Sequence, residues 1–215
     1  GRVTGNRFVI KIILIIGCYL LGSISGSVIL GKIKGIDIRK SGSGNAGATN
    51  AFRTVGPVFA ISVLIIDVMK SYIPLMIIMN YMKNLPEFIL IFCGLSAVLG
   101  HVYPIFHQFK GGKGAGTLTG IIIALFPESI IYVILIWVLI LVLTGYVGLS
   151  TMLSGISLII ITYLKYPSGI FSAFGYFTIG VGFFLLFTHR SNIKRMLNGE
   201  ENRFKKVMIF KKIFK

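Results

Sequence analysis

This 215-residue chain is short of several residue types, and each shortage closes off a class of function. Its two cysteines, Cys18 and Cys93, both sit inside apolar runs. They read as small buried hydrophobes and exclude a disulfide framework. Only six aspartates and glutamates are present, against 22 lysines and arginines, and the formal charge is +16. So few carboxylates argue against Asp- or Glu-based acid–base chemistry. The three histidines, His101, His107 and His189, have no helical two-ligand spacing and no carboxylates to complete a metal set. No metal and no cofactor is expected. The basic excess suits anionic lipid or an anionic substrate better than nucleic acid, because the cations are scattered between apolar runs and no nucleic-acid reading module is present.

What the chain has in quantity is apolar length. It is 55% hydrophobic, with a mean hydropathy of +0.88. Apolar segments run over 8–31, 57–81, 87–105, 116–126, 129–148, 149–163 and 169–188. Most approach the twenty residues that cross a bilayer core. The fourth, at roughly 16 Å of helix, is too short to cross alone. The expectation is an all-α, polytopic membrane bundle of about seven transmembrane helices, with five as the fallback. The first segment is too long, and lacks the ending, for a cleavable signal peptide. Residues 1–7 are set aside as a remnant or an external tail, 8–201 form one membrane domain, and 202–215 form a basic amphipathic tail.

Three polar islands interrupt the apolar runs, at 40–53, 107–117 and 189–201, and they hold sixteen of the 22 basic residues when 32–53 and the stretch beyond 201 are included. The Lys and Arg bias puts them on the cytoplasmic side, with an external N-terminus and a cytoplasmic C-terminus. The expected location is a cytoplasmic membrane. One composite site on its cytoplasmic face would use all three islands.

The first island, Lys40-Ser-Gly-Ser-Gly-Asn-Ala-Gly-Ala-Thr-Asn-Ala-Phe-Arg53, is built for an anion. Glycine lets backbone N–H groups converge, and arginine grips phosphate or carboxylate bidentately. The second, Phe109-Lys-Gly-Gly-Lys-Gly-Ala-Gly-Thr117, runs into an apolar helix whose N-terminus favours phosphate. It is not a Walker A loop, since position 107 is histidine where that motif needs glycine. In the third, His189 and Asn192 stand i, i+3 and share a face if the helix continues. Asp67 and Lys70 lie inside an apolar run, where a lone charge costs roughly 2.5–3.5 kcal/mol, so an internal ion pair is expected. His101 is read as a structural hydrogen-bonding residue. The tail from Arg203 alternates basic and bulky apolar side chains and reads either as an interfacial helix on anionic lipid or as a frayed charged tail.

Together the islands resemble the PlsY family of bacterial membrane acyltransferases. The resemblance is carried by Ser43-Gly-Asn-Ala-Gly-Ala-Thr-Asn-Ala-Phe-Arg53, by Gly100-His-Val-Tyr-Pro-Ile-Phe106 with Phe109-Lys-Gly-Gly-Lys-Gly114, and by His189-Arg-Ser-Asn-Ile-Lys-Arg195 followed by Gly199 and Glu201. It implies transfer of an acyl chain from acyl phosphate to glycerol 3-phosphate, giving lysophosphatidate without a covalent acyl-enzyme. It implies that Ser43, Arg53, Lys113, His189 and Asn192 are catalytic. Gly44, Asn45, Gly47, Asn50, Lys110, Gly111, Gly112 and Gly114 would line phosphate-binding loops, with Asp67, Lys70, His101 and Glu201 in support. A soluble enzyme that makes acyl phosphate is the implied partner. The rival reading, a transporter of an anion or phosphate ester, would call for paired inverted repeats, and neither glycine motif has a second copy.

Overall fold

The structure, a computed structural model, describes residues 2–209. Every regular element among them is helical. The chain divides into two compact units, 1–125 and 126–215.

The first unit holds α1 (Arg2–Gly22), α2 (Gly26–Lys34), α3 (Ala48–Thr54), α4 (Pro57–Tyr81), α5 (Glu87–Val102) and α6 (Ala115–Leu125). The apolar run at 8–31 reads as one segment in the sequence but is broken at Ser23-Ile24-Ser25. Hydroxyls stabilise the break. Ser23 Oγ donates to Tyr19 O at 2.9 Å, and Ser25 caps α2 by accepting from the Val28 N–H. Gly35, in the left-handed region at φ 68°, ends α2. Pro57 opens α4 at a position where its missing N–H costs nothing.

Helices α1 and α5 pack together, as do α4 and α6. With lipid outside, such contacts gain little from the hydrophobic effect and depend on small residues and interhelical hydrogen bonds. Ser96 Oγ donates to Ile15 O across the first pair, and Ser71 Oγ to Thr117 O across the second, each at 2.7 Å. Gly120 lets α6 approach so closely that a Cβ there would collide with Val68 O and Ser71 Oγ. A small apolar core of Ile38, Ala51, Phe59, Ala60 and Val63 seats α3 on α4 under the first polar island.

The second unit holds α7 (Ile130–Thr144), α8 (Val147–Lys165), α9 (Ala173–Thr188) and α10 (Arg190–Leu197). Trp137 Nε1 donates to Thr151 Oγ1 between α7 and α8 at 3.1 Å. Phe126, Tyr166 and Phe174 form a ring cluster, with centroids 4.5–5.8 Å apart.

Among the described residues, five stretches, 7–34, 57–81, 87–107, 127–144 and 147–165, are long and apolar enough to cross a membrane. The apolar helices at 115–125 and 173–188 are shorter, 11 and 16 residues. Each of the seven apolar segments of the sequence thus contains helix, the first in two pieces, and five fall in these longer stretches.

The tail departs from its sequence reading. Its described part, 202–209, is not a helix but a turn pinned to the end of α7. Phe204 N donates to Gly145 O at 2.8 Å and Ile209 N to Val142 O at 3.0 Å. Met208 is buried, and the Arg203 guanidinium lies 4.6 Å over the Tyr146 ring. The cause is the carbonyls that a helix leaves unpaired in its last turn, here supplied with donors by the returning chain. Residues 210–215, which complete the tail motif, lie outside the described residues.

Candidate active site

The first island folds around one side chain. Asn50, on α3, is 2% exposed, and its Nδ2 donates to Ile38 O, Ser41 O and Asn45 O at 2.9–3.0 Å. Its Oδ1 accepts from the Ser43 N–H at 3.0 Å. The sequence reading gave Asn50 to the substrate. Its amide is instead taken up by the loop's own backbone, so it stands as a strut. Asn45 also bonds locally, its Oδ1 accepting from the Gly47 N–H at 2.9 Å in an Asx turn. Gly42, at φ 60°, passes against Asn50 Oδ1 where a Cβ would collide. Ser43 and Gly44 are thereby presented on the exposed surface, and Arg53 stands one turn beyond Asn50 on α3.

Asp37 and Arg39, passed over in the sequence, brace the entry to this loop. The Asp37 carboxylate accepts from Arg39 Nε and Nη2, both at 2.9 Å, and also caps the turn at 38–40. The hydrogen-bonded Arg39 guanidinium holds the Asp37 carboxyl below its ordinary value, and the carboxylate in turn raises Arg39. The Asp-x-Arg spacing just before a glycine-rich run was the available signal.

The second island is stitched to the end of α5. Phe109 N donates to Pro104 O, Gly111 N to Val102 O, and Gly112 N to His101 O, at 2.9–3.1 Å. The amides of Gly111 and Gly112, expected to face phosphate, are therefore committed to α5. What the loop offers beyond them is Lys110, exposed, Lys113, half-buried, and the start of α6 after Gly114. Gln108 and Phe109 both adopt positive φ, at 55° and 58°. Neighbouring non-glycine residues in that region hold stored backbone strain immediately before the loop.

Beneath the second island lies a buried group the sequence listed only piecemeal. Lys70 Nζ sits 3.0 Å from Asp67 Oδ1, 2.9 Å from Ile24 O and 2.7 Å from His101 Nδ1. The Asp67 contact is at ion-pair distance but not aligned as a hydrogen bond. The expected Asp67–Lys70 pair is thus present, with His101 as its third member.

In the second unit, α9 stops at Thr188 and α10 starts at Arg190, so the helix does not continue straight through His189. The buried imidazole donates from Nδ1 to Leu185 O at 2.9 Å, with Thr188 Oγ1 at 3.3 Å. In the neutral ring the lone pair is then on Nε2. Asn192 is buried against Gly148 and donates from Nδ2 to Glu201 Oε1 at 3.1 Å. Glu201 Oε2 accepts from Arg195 Nε at 2.6 Å. Glu201 is buried and its carboxylate joins Asn192 to Arg195, a residue not singled out in the sequence.

The family sequence model described as "Glycerol-3-phosphate acyltransferase" matches residues 12–199. The chain belongs to this family. It is 38% identical over 192 residues to the glycerol-3-phosphate acyltransferase of Aquifex aeolicus, covering 89% of this chain and 97% of that one. Identity to the Bacillus subtilis protein of the same name is 40% over 194 residues, covering 90% and 97%. Among solved structures it is similar to PlsY, an integral membrane glycerol 3-phosphate acyltransferase, in its glycerol 3-phosphate form. That match has a TM-score of 0.83 and 37% identity, covering 90% of this chain and 95% of that one. The lysophosphatidic acid form of PlsY matches with a TM-score of 0.81 at 36% identity. The protein is therefore an all-helical integral membrane acyltransferase.

Proposed function

We propose that this acyltransferase moves a fatty acyl group from acyl phosphate to the 1-hydroxyl of glycerol 3-phosphate, releasing 1-acylglycerol 3-phosphate and phosphate. The hydroxyl oxygen attacks the acyl carbonyl, the bond from that carbon to the phosphate oxygen breaks, and the hydroxyl proton leaves with a phosphate oxygen. Because acyl phosphate is already an activated anhydride, no acyl-enzyme is needed. The protein must neutralise two phosphates, align the hydroxyl and donate to the developing oxyanion.

The observation that carries this reading is the first loop, where Asn50 fixes Ser43 at an exposed position and Arg53 stands one turn beyond Asn50 on the helix that follows. A relative at 37% identity has been solved in a form named for glycerol 3-phosphate, which supports that acceptor. In this reading Arg53 grips the acceptor phosphate, Ser43 and Asn192 donate hydrogen bonds, and Lys110 and Lys113 take the donor phosphate. His189, its Nδ1 proton engaged by Leu185 O, uses the Nε2 lone pair as a hydrogen-bond acceptor for the attacking hydroxyl. The multi-pass protein is placed in the bacterial cytoplasmic membrane with its site on the cytoplasmic face, as the basic loops favour. A soluble enzyme making acyl phosphate would feed it there.

The test is purified protein in lipid vesicles with labelled glycerol 3-phosphate and either palmitoyl phosphate or palmitoyl-CoA. Lysophosphatidate from palmitoyl phosphate alone is expected. Product from palmitoyl-CoA alone overturns the donor. Near-normal turnover in His189→Gln removes that role from His189.

A further inference from the structure

A buried ammonium in a lipid-embedded unit is costly unless each of its protons is met. Lys70 answers that requirement from three places: it hydrogen-bonds the carbonyl of Ile24 in the α1–α2 break and Nδ1 of His101 at the end of α5, and the Asp67 carboxylate on its own helix balances its charge at ion-pair distance. An ammonium has no lone pair, so a bond of 2.7 Å to Nδ1 makes that nitrogen the acceptor. The neutral ring then carries its proton on Nε2.

That Nε2 edge faces the second island. A Cβ built on Gly112 would run into the imidazole, nearest to Nε2, while the Gly112 N–H donates to the carbonyl of the same His101 at 3.1 Å. The Gly112 peptide is thus held by one residue from two sides. At the far end of the loop, a Cβ on Gly116 would crowd Cβ of Asp67 at 3.2 Å. The triad consequently touches the glycine loop at its start and just past its end, although the Lys70 and Asp67 side chains are each 5% exposed and out of reach of a ligand.

We propose that Lys70, acting through His101, is a positioning residue that sets the shape of the Gly111–Gly114 loop and with it the affinity for the acyl donor. The proposal rests on the reading that this loop holds the donor phosphate. Lys70→Met and His101→Leu remove the ammonium and its acceptor. His101→Asn keeps an acceptor near the Nδ1 position. Gly112→Ala leaves the triad chemically intact and pushes on it from the loop side.

The experiment measures kcat and both KM values for the intact protein in vesicles, with palmitoyl phosphate and glycerol 3-phosphate varied in turn. A displaced loop of this kind costs on the order of ten- to a hundredfold. Lys70→Met, His101→Leu and Gly112→Ala are expected to raise the donor KM by about that factor. The acceptor KM should stay within about twofold, well inside that effect. His101→Asn should retain most of the donor affinity and should relieve the defect of Gly112→Ala in the double variant, because the shorter side chain withdraws from the loop. Where Lys70→Met does not fold, His101→Asn and Gly112→Ala carry the test by themselves. Equal rises in both KM values, or a loss of kcat that only tracks the folded fraction, overturns the positioning role. So does a Gly112→Ala defect that His101→Asn leaves unchanged. Lys113→Ala separates the two readings. A donor KM raised there but normal in the triad variants sinks the positioning role alone, whereas a donor KM unchanged in Lys113→Ala sinks the loop's assignment and the proposal with it.

Discussion

Asn50→Asp puts two physical effects in opposition. By charge alone, a carboxylate near Arg39 and Lys40 in a chain of net charge +16 should be welcome. By hydrogen bonding it should be damaging, because Nδ2 faces three carbonyl oxygens at 2.9–3.0 Å. Two N–H groups shared among those carbonyls, plus the bond from Ser43 N, amount to three net bonds, or about 3 kcal/mol of loop order at ~1 kcal/mol each. Alanine loses all three. Aspartate keeps the Ser43 bond but sets an acceptor against three acceptors, adding a penalty of about 1–3 kcal/mol for groups left unsatisfied. Hydrogen bonding therefore wins, and Asn50→Asp should be at least as defective as Asn50→Ala. At ~1.36 kcal/mol per decade, 3 kcal/mol drawn from acceptor binding lowers kcat/KM for glycerol 3-phosphate by on the order of a hundredfold. Initial rates at saturating palmitoyl phosphate, with glycerol 3-phosphate varied, measure it. An Asn50→Asp enzyme equal to wild type, or clearly better than Asn50→Ala, refutes the strut.

Further outcomes follow from the same geometry. Asp37 has its carboxyl lowered by Arg39, so its contribution to loop order is complete above the unfolded value of about 3.9 and is lost as pH falls through the lower folded value. Amide exchange over 37–50, corrected for intrinsic rates, should stay constant from about pH 6 down to the unfolded carboxylate value and rise below it, and Asp37→Asn should abolish that step. Glu201→Ala removes charge-assisted bonds to Arg195 and Asn192 worth about 2–3 kcal/mol, lowering both the unfolding temperature and turnover; Glu201→Gln, which still accepts from Asn192, should retain more activity. Gly120→Ala drives α6 off α4 and should destabilise by about 1–3 kcal/mol in thermal unfolding. Gly17→Ala, with open space around the added methyl, should be neutral or stabilising by up to ~1 kcal/mol.

The helical segments were legible because apolar length is the dominant signal in a membrane chain, and each of the seven runs contains helix, the first of them in two pieces. The break at 23–25 was hidden by its composition. Serine and isoleucine keep the hydropathy high, and only the flanking Gly22 and Gly26 hinted that the helix ends. The polar islands were visible as residues, but their internal wiring was not. No spacing rule says that Asn50 serves carbonyls on three other residues, or that Gly111 and Gly112 give their amides to α5. His101 was read as structural from its neighbourhood, yet its partner, Lys70, lies 31 residues away and becomes apparent only once α4 and α5 are packed. The tail misled because alternating basic and bulky residues suit a membrane surface as well as a strap.

That strap bears on the order in which the second unit is completed during synthesis. Val142 and Gly145 end α7, but the donors for their carbonyls are on Ile209 and Phe204, which the ribosome adds long after α7, α8 and α9 have been made. Until then the turn at Gly145 must rely on water or lipid headgroups for its hydrogen bonds. The closing of this unit is in that sense a late event, and a chain interrupted beyond Glu201 would keep the Asn192–Glu201–Arg195 network and the Gly145 cap of α7 while leaving the carbonyls of Val142 and Gly145 without these donors.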